Sequence, residues 1–225
     1  MGVNPRALVA EFIGTFGLIF IGAGSIIVDA FIGGRSGLTG IALAHGLAIF
    51  LGVSYSAHIS GGHLNPAVTV GFMATKRIGG GAGLAYIVSQ LLGGIVAALL
   101  LKLVTPGEPA ARTALGTPAP GQGVGAGSAL IVEFVLTFFL VFVIFGTAVD
   151  PRGPKAIFPL CIGMAVAMDI LMGGPLTGGS MNPARSLGPA LVSGLWTAHW
   201  VYWVGPILGG ASAAWLYDSL LMERR

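Results

Sequence analysis

The tripeptide Asn-Pro-Ala occurs twice in this chain, at 65–67 and at 182–184, and the residues around the two copies match. The first copy reads Ser60-Gly61-Gly62-His63-Leu64-Asn65-Pro66-Ala67. The second reads Thr177-Gly178-Gly179-Ser180-Met181-Asn182-Pro183-Ala184. The offset of 117 residues is about half of the 225-residue chain, and it also places Gly46 on Gly163, Ala48 on Ala165, Gly61 on Gly178 and Gly62 on Gly179. A polar loop repeated within a strongly apolar chain points to two half-molecules that meet at one shared site.

The apolar setting fixes the solvent. Hydrophobic residues make up 55% of the chain and charged residues only 8%, against about 25% charged in a soluble domain. So little charge cannot coat a globule in water, and lipid must cover most of the surface. Thirty-eight glycines suit close helix contacts in a membrane. A single cysteine, Cys161, excludes an intrachain disulfide and a cysteine-based metal site. No cofactor or metal is expected. The net charge of +3 falls short of the dense basic face that nucleic-acid binding needs.

Six apolar segments can be read, at about 7–30, 38–58, 82–104, 128–148, 156–174 and 197–221. Each is near the ~20 residues that cross a bilayer as a helix. The first contains Glu11 and lacks a persuasive cleavage site, so it reads as a retained span rather than a signal peptide. The Pro-, Gly- and Ala-rich stretch 106–127 reads as an exposed loop. Two further apolar stretches, about 66–76 and 183–193, are too short to span, and each opens on a proline. Proline suits the first helical turn, and the preceding Asn65 or Asn182 stands where an N-cap would stand. Each Asn-Pro-Ala therefore opens a half-helix that dips into the membrane. Irregular backbone at that depth is tolerated only where it is buried in protein or lines a wet cavity, so paired half-helices imply a pore or a binding site. The expected fold is an all-α membrane protein: a single domain over 1–225, six spans and two half-helices, with inverted repeat halves at about 1–110 and 125–225.

Basic residues orient the chain. With six spans, Arg6, Lys76, Arg77, Arg152, Lys155, Arg224 and Arg225 lie on one side, and Arg35, Lys102 and Arg112 on the other. The positive-inside rule places the first group, and both termini, in the cytoplasm.

Paired Asn-Pro-Ala motifs, six spans and the run Ser180-Met181-Asn182-Pro183-Ala184-Arg185-Ser186 together resemble the aquaporins, the major intrinsic protein family, over the whole length. The resemblance implies a homotetramer with one pore per protomer, and a passive channel rather than an enzyme. Asn65 and Asn182, with Pro66, Ala67, Pro183 and Ala184, would form the paired pore motifs. Each asparagine would offer an amide N–H to passing water while its carbonyl caps a helix. The facing half-helix N-termini would repel protons and other cations.

Glu11 and Glu133 form a second duplicated feature, in Glu11-Phe12-Ile13-Gly14-Thr15-Phe16 and Glu133-Phe134-Val135-Leu136-Thr137-Phe138. A carboxylate within a span normally faces the bundle interior. The resemblance implies that these two brace the dipping loops. It also carries the four filter positions onto His45, Ile170, Gly179 and Arg185. Strict water channels usually have Phe and His at the first two positions. His45 with Ile170 and Gly179 is instead similar to a tonoplast-intrinsic-protein subgroup associated with ammonia as well as water. The expected solutes are water and another small neutral molecule such as ammonia. A glycerol or urea facilitator is the alternative, weakened by Ser186, where glycerol-conducting relatives carry aspartate. A secondary transporter is a more distant one.

The aromatic run Trp196, His199, Trp200, Tyr202 and Trp203 reads mainly as a membrane-interface belt. His58 is expected to make a structural hydrogen bond. Asp169, one residue before a filter position, has no counterpart in the expected pattern. The location is expected to be a membrane with both termini cytoplasmic, either a prokaryotic cell membrane or a vacuolar membrane.

Overall fold

The computed structural model describes residues 4–223; Arg224 and Arg225, counted above among the cytoplasmic charges, lie outside them. The helices in chain order are α1 Pro5–Phe31, α2 Gly37–Ser60, α3 Pro66–Ala74, α4 Gly80–Val104, α5 Gly107–Arg112, α6 Ala126–Ile144, α7 Phe158–Thr177, α8 Pro183–Ser193 and α9 Val201–Leu216. α6 continues through a π-helical turn, Phe145–Val149, and α9 through another, Tyr217–Leu221. Among the described residues, five helices are long and apolar enough to cross a membrane. α9 is 16 residues long and reaches crossing length only with its π-helical turn, because the chain at Trp196 to Trp200 turns instead of starting the helix at 197.

The half-helices α3 and α8 interlock the two halves. α3, from the first half, packs on α9, and α8, from the second, packs on α4. Glycine makes both approaches possible. A Cβ on Gly94 of α4 would stand 2.7 Å from the Ala184 carbonyl oxygen, and one on Gly210 of α9 would stand 3.0 Å from that of Ala67. α2 and α7 cross at Gly46 and Gly163, where a Cβ on Gly46 would meet the Gly163 carbonyl oxygen at 2.7 Å. With no hydrophobic drive between helices in lipid, this close packing and interhelical hydrogen bonds hold the bundle. Leu43, Leu47, Leu84, Val88, Ile131, Met164 and Met168 face outward, whereas Glu11, Gln90, Glu133, Asp169 and Arg185 are buried. The long charged and amide side chains named here are buried among an apolar core, and the outward face is apolar, as lipid demands.

Arg77 and Arg152 lie at one end of the bundle and Arg112 at the other. Arg77 pairs with Asp218 at 2.6 Å, and Arg152 reaches Asp150 at 2.6 Å and Glu223 at 2.8 Å. The connectors after α3 and α6 are thus tied to the C-terminal segment at one end of the bundle. Hydrogen bonds from the Arg152 guanidinium hold the Asp150 carboxyl far below the ordinary carboxylate range. At the opposite end Arg112 donates to the Ala30 carbonyl.

The stretch 106–127 departs from the expected exposed loop. It folds into α5 and a 3₁₀ turn, Ala114–Gly116, and buries Pro109, Ala110, Leu115 and Gly116. Ala114 and Leu115 both take left-handed backbone, at φ +46° and +56°. That conformation is costly for residues with a side chain, and here it turns the Gly116 carbonyl inward.

Candidate pore and selectivity filter

Each half-helix is opened by an asparagine that bonds in two directions. Asn65 Oδ1 accepts from the Ala67 N–H at 2.8 Å, and Asn182 Oδ1 from the Ala184 N–H at 3.0 Å and the Arg185 N–H at 3.3 Å. Pro66 and Pro183 fill the first helical positions. The amide groups reach across the repeat: Asn65 Nδ2 donates to the Met181 carbonyl at 2.8 Å, and Asn182 Nδ2 to the Leu64 carbonyl at 3.0 Å. A side-chain amide has two N–H bonds, so each asparagine keeps one for the space beside it. Leu64 and Met181, the two acceptors, sit at φ +51° and +54°. The strained residues are those that turn a carbonyl toward the opposite half.

Buried carboxylates hold the strained loops. Glu11 accepts from Ser60 Oγ at 2.7 Å, the His63 N–H at 2.9 Å, the Leu64 N–H at 2.7 Å and Gln90 Nε2 at 2.7 Å. Glu133 accepts from Thr177 Oγ1 at 2.7 Å, the Ser180 N–H at 2.9 Å and the Met181 N–H at 2.7 Å. The loop donors of the two sets correspond residue for residue, and Gln90 is an extra donor on Glu11 without a counterpart on Glu133. A tyrosine completes each: Tyr86 donates to the Ser60 carbonyl at 3.0 Å and Tyr202 to that of Thr177 at 2.7 Å. Tyr202 is fully buried, so it is a loop brace and not part of an interface belt; Trp196 and Trp200 are exposed. Inside the loops, His63 Nδ1 pairs with Thr69 Oγ1 at 3.1 Å and Ser180 Oγ with Ser186 Oγ at 2.5 Å, again at matching positions.

His45, Ile170, Gly179 and Arg185 meet at one level, lining with Asn65 and Asn182 a cavity of about 20 Å³. That is room enough to hold a single water. His45 Nδ1 lies 2.9 Å from the Ile41 carbonyl and must carry the proton to bond it. Nε2 is therefore an acceptor, and it faces Arg185 Nη2 at 3.4 Å, the long limit of a hydrogen bond. Gly22 makes room for the ring, since a Cβ there would stand 2.6 Å from Nε2. Arg185 Nη1 donates to the Gly116 carbonyl at 2.6 Å, and its Nε has no partner among the described residues. Gly179 sits at φ +55° and offers backbone only. Beyond this level a wider cavity of about 370 Å³ opens between the 113–121 segment and the end of α7.

Sequence reasoning did not reach Gln90, Tyr86, the bracing role of Tyr202, or Gly116. The tyrosines had a signal: Tyr86 and Gly93-Gly94 recur as Tyr202 and Gly209-Gly210, at an offset of 116. Gly116 had none. His58 is exposed and, against expectation, makes no side-chain hydrogen bond among the described residues. Cys161 is half-buried and does not line the small cavity. Mercurials are therefore expected to leave water permeability nearly unchanged. Strong inhibition that vanishes in Cys161→Ala would refute this.

The profile of the major intrinsic protein family matches residues 3–217. The chain is 46% identical to aquaporin TIP4-4 and 47% identical to aquaporin TIP1-2, both of Zea mays, over 97% and 99% of its length and 88% of each relative. It is 43% identical to aquaporin TIP2-1 of Arabidopsis thaliana, over 96% of its length and 88% of that protein. Among solved structures, the aquaglyceroporin from Plasmodium falciparum superposes with a TM-score of 0.87 at 27% identity, covering 96% of both chains. These curated relatives are plant proteins and give no support to a prokaryotic cell membrane. A full-length family match, two braced Asn-Pro-Ala loops and a six-span helical bundle place this chain in the major intrinsic protein family as a multi-pass aquaporin channel.

Proposed function

We propose that the chain is a passive water channel that also conducts ammonia and excludes protons and ions. The observation that carries this reading is the single-water cavity of about 20 Å³, lined by both asparagines and all four filter residues. In this reading, water gives up bulk hydration and takes its oxygen contacts from the free N–H bonds of Asn65 and Asn182. The α3 and α8 N-termini face this point, each with about half a positive charge. Donors on the oxygen and positive potential on both sides disfavour a proton relay.

Ammonia is close to water in size but donates more and accepts less. His45 Nε2, held only loosely by Arg185, is an acceptor that a passing N–H can engage. Ile170 makes the facing wall apolar, and Gly179 leaves width. The tonoplast-type relatives support a vacuolar membrane. The two halves, about 1–110 and 125–225, work as one channel unit, and the assembly is a homotetramer with one pore per protomer and both termini cytoplasmic. A glycerol-conducting reading draws on the aquaglyceroporin likeness, but Ser186 stands where glycerol-conducting relatives carry aspartate.

Two measurements on proteoliposomes test the proposal. Shrinkage in hyperosmotic sucrose should be faster than in empty vesicles. Dye-reported alkalinisation after an ammonium gradient should also be faster, and should fall at least about tenfold in His45→Phe combined with Ile170→His, a loss of about 1.4 kcal/mol of barrier advantage. Ammonia entry no faster than in empty liposomes would remove ammonia from the proposal. Equal entry through both proteins would remove these two residues as its determinants.

A further inference from the structure

The repeat breaks at one buried residue. Subtracting the 117-residue offset from Asp169 gives Gly52. In the first half that glycine makes way for the strained loop: a Cβ on Gly52 would stand 2.8 Å from Leu64 Cδ1. Leu64 corresponds to Met181, so the second half places a carboxyl where the first half leaves room for a loop side chain. Asp169 is 2% exposed, and its Oδ2 is buried with no hydrogen-bond partner among the described residues. Met181 donates its N–H to Glu133, which also accepts from Thr177 and Ser180. By the repeat, two buried carboxyls thus flank one loop layer behind the filter, the first saturated with donors and the second with none among the described residues. Ile170, the next residue along α7, lines the cavity.

Two ionised carboxylates cannot share such a layer without a large penalty. The other groups facing α7 offer little compensation. On α6 the titratable group is Glu133 itself. From α8 comes Arg185, whose Nη1 and Nη2 point to Gly116 and His45. From α2 comes His45, with Nδ1 on Ile41. From α9 comes Tyr202, engaged with the Thr177 carbonyl. The π-helical turn Phe145–Val149, which also packs on α7, carries no titratable side chain.

We propose that Asp169 is a positioning residue for the outer filter: as the neutral acid it lets Glu133 hold the 178–182 loop in its conducting shape, and its ionisation displaces that loop and with it Gly179 and Arg185. The inference deepens, and rests on, the reading of this pore as a water channel. It concerns a position at which the two halves are chemically unlike, so it acts on the outer loop and leaves the Glu11-braced loop untouched.

The test uses the full chain in proteoliposomes, with water permeability followed from about pH 5 to about pH 9, a window that lies above the ordinary carboxyl range and reads only a strongly displaced one. The wild type is expected to lose at least about half of its permeability toward the alkaline end as the second charge appears. Asp169→Asn, isosteric and unable to ionise, should hold the acid-end permeability throughout. Infrared difference spectra should show a protonated carboxyl band that fades over the same pH range and is missing from Asp169→Asn. A flat wild-type profile, or an equal alkaline loss in Asp169→Asn, would overturn the proposal. An infrared band that survives in Asp169→Asn would overturn the assignment to this residue, whatever the conduction. Absence of water conduction at every pH in both proteins would sink the channel reading itself.

Discussion

Glu133→Ala is expected to yield little folded protein and no water conduction. The Glu133 carboxylate is fully buried and takes the Thr177 hydroxyl and the Ser180 and Met181 N–H groups. Alanine leaves three buried donors without an acceptor, at about 1–3 kcal/mol each. The total, roughly 3–9 kcal/mol, is comparable with the whole stability of a typical protein, about 5–15 kcal/mol. The left-handed Met181 then loses the bond that offsets its strain, and the Met181 carbonyl is the acceptor for Asn65, so damage in one half reaches the other. Glu133→Gln keeps the volume but replaces one acceptor oxygen with an N–H that must face other donors. Its effect should be intermediate. Detergent-solubilised yield, tryptophan-monitored melting and proteoliposome water flux measure all three. Glu11→Ala should behave alike, because Glu11 accepts from the matching loop and from Gln90 as well. Wild-type yield and flux in Glu133→Ala would show that the brace is not needed.

Much of this architecture was legible in the sequence because lipid simplifies the problem. A chain with 8% charge has few ways to satisfy its backbone, so spans could be read from length and apolarity. The half-helices could be read from Asn-Pro, whose asparagine does cap and whose proline does sit at the first turn. The duplication of Glu11 and Glu133 announced a shared environment, and both residues are buried at matching loops. His45, Ile170, Gly179 and Arg185, drawn from three separate segments, converge on one cavity.

What stayed hidden was contact made by backbone. Arg185 is fixed in part by the Gly116 carbonyl, and a carbonyl has no side-chain signature. The stretch around it looked like an exposed loop because Pro, Gly and Ala are turn formers. The same small residues also let the segment fold inward. Tyr202 was hidden by its company: it stands among tryptophans that do face outward, and only its repeat relation to Tyr86 separates it from them. Asp169 stood out as unexpected without revealing why, since Gly52, the residue it replaces, shows its meaning only when Leu64 is seen to need the space.

Replacing Arg185 with leucine is expected to raise cation leak sharply while water continues to pass. The guanidinium is 1% exposed and lines a cavity of about 20 Å³, so no bulk water screens it from an ion at that point. For a cation about 5 Å away and an effective dielectric constant of about 20, the repulsion is about 3 kcal/mol, or roughly a hundredfold in rate. The half-helix N-termini stay in place in the variant and retain part of the barrier, so the observed increase should lie between about tenfold and about a hundredfold. Leucine also leaves the Gly116 carbonyl and His45 Nε2 without their donor, and both turn the site toward cations. Arg185→Lys separates charge from shape. It keeps the positive charge but lacks the fork that reaches Gly116 and His45 at once, so it should preserve cation exclusion while altering water flux. Proton and potassium fluxes into dye-loaded proteoliposomes under a diffusion potential provide the measurement. If Arg185→Leu leaked no more than the wild type, exclusion would rest on the paired half-helices alone, and the bonds that Arg185 donates to Gly116 and His45 would serve to shape the passage and not to hold a charge in it.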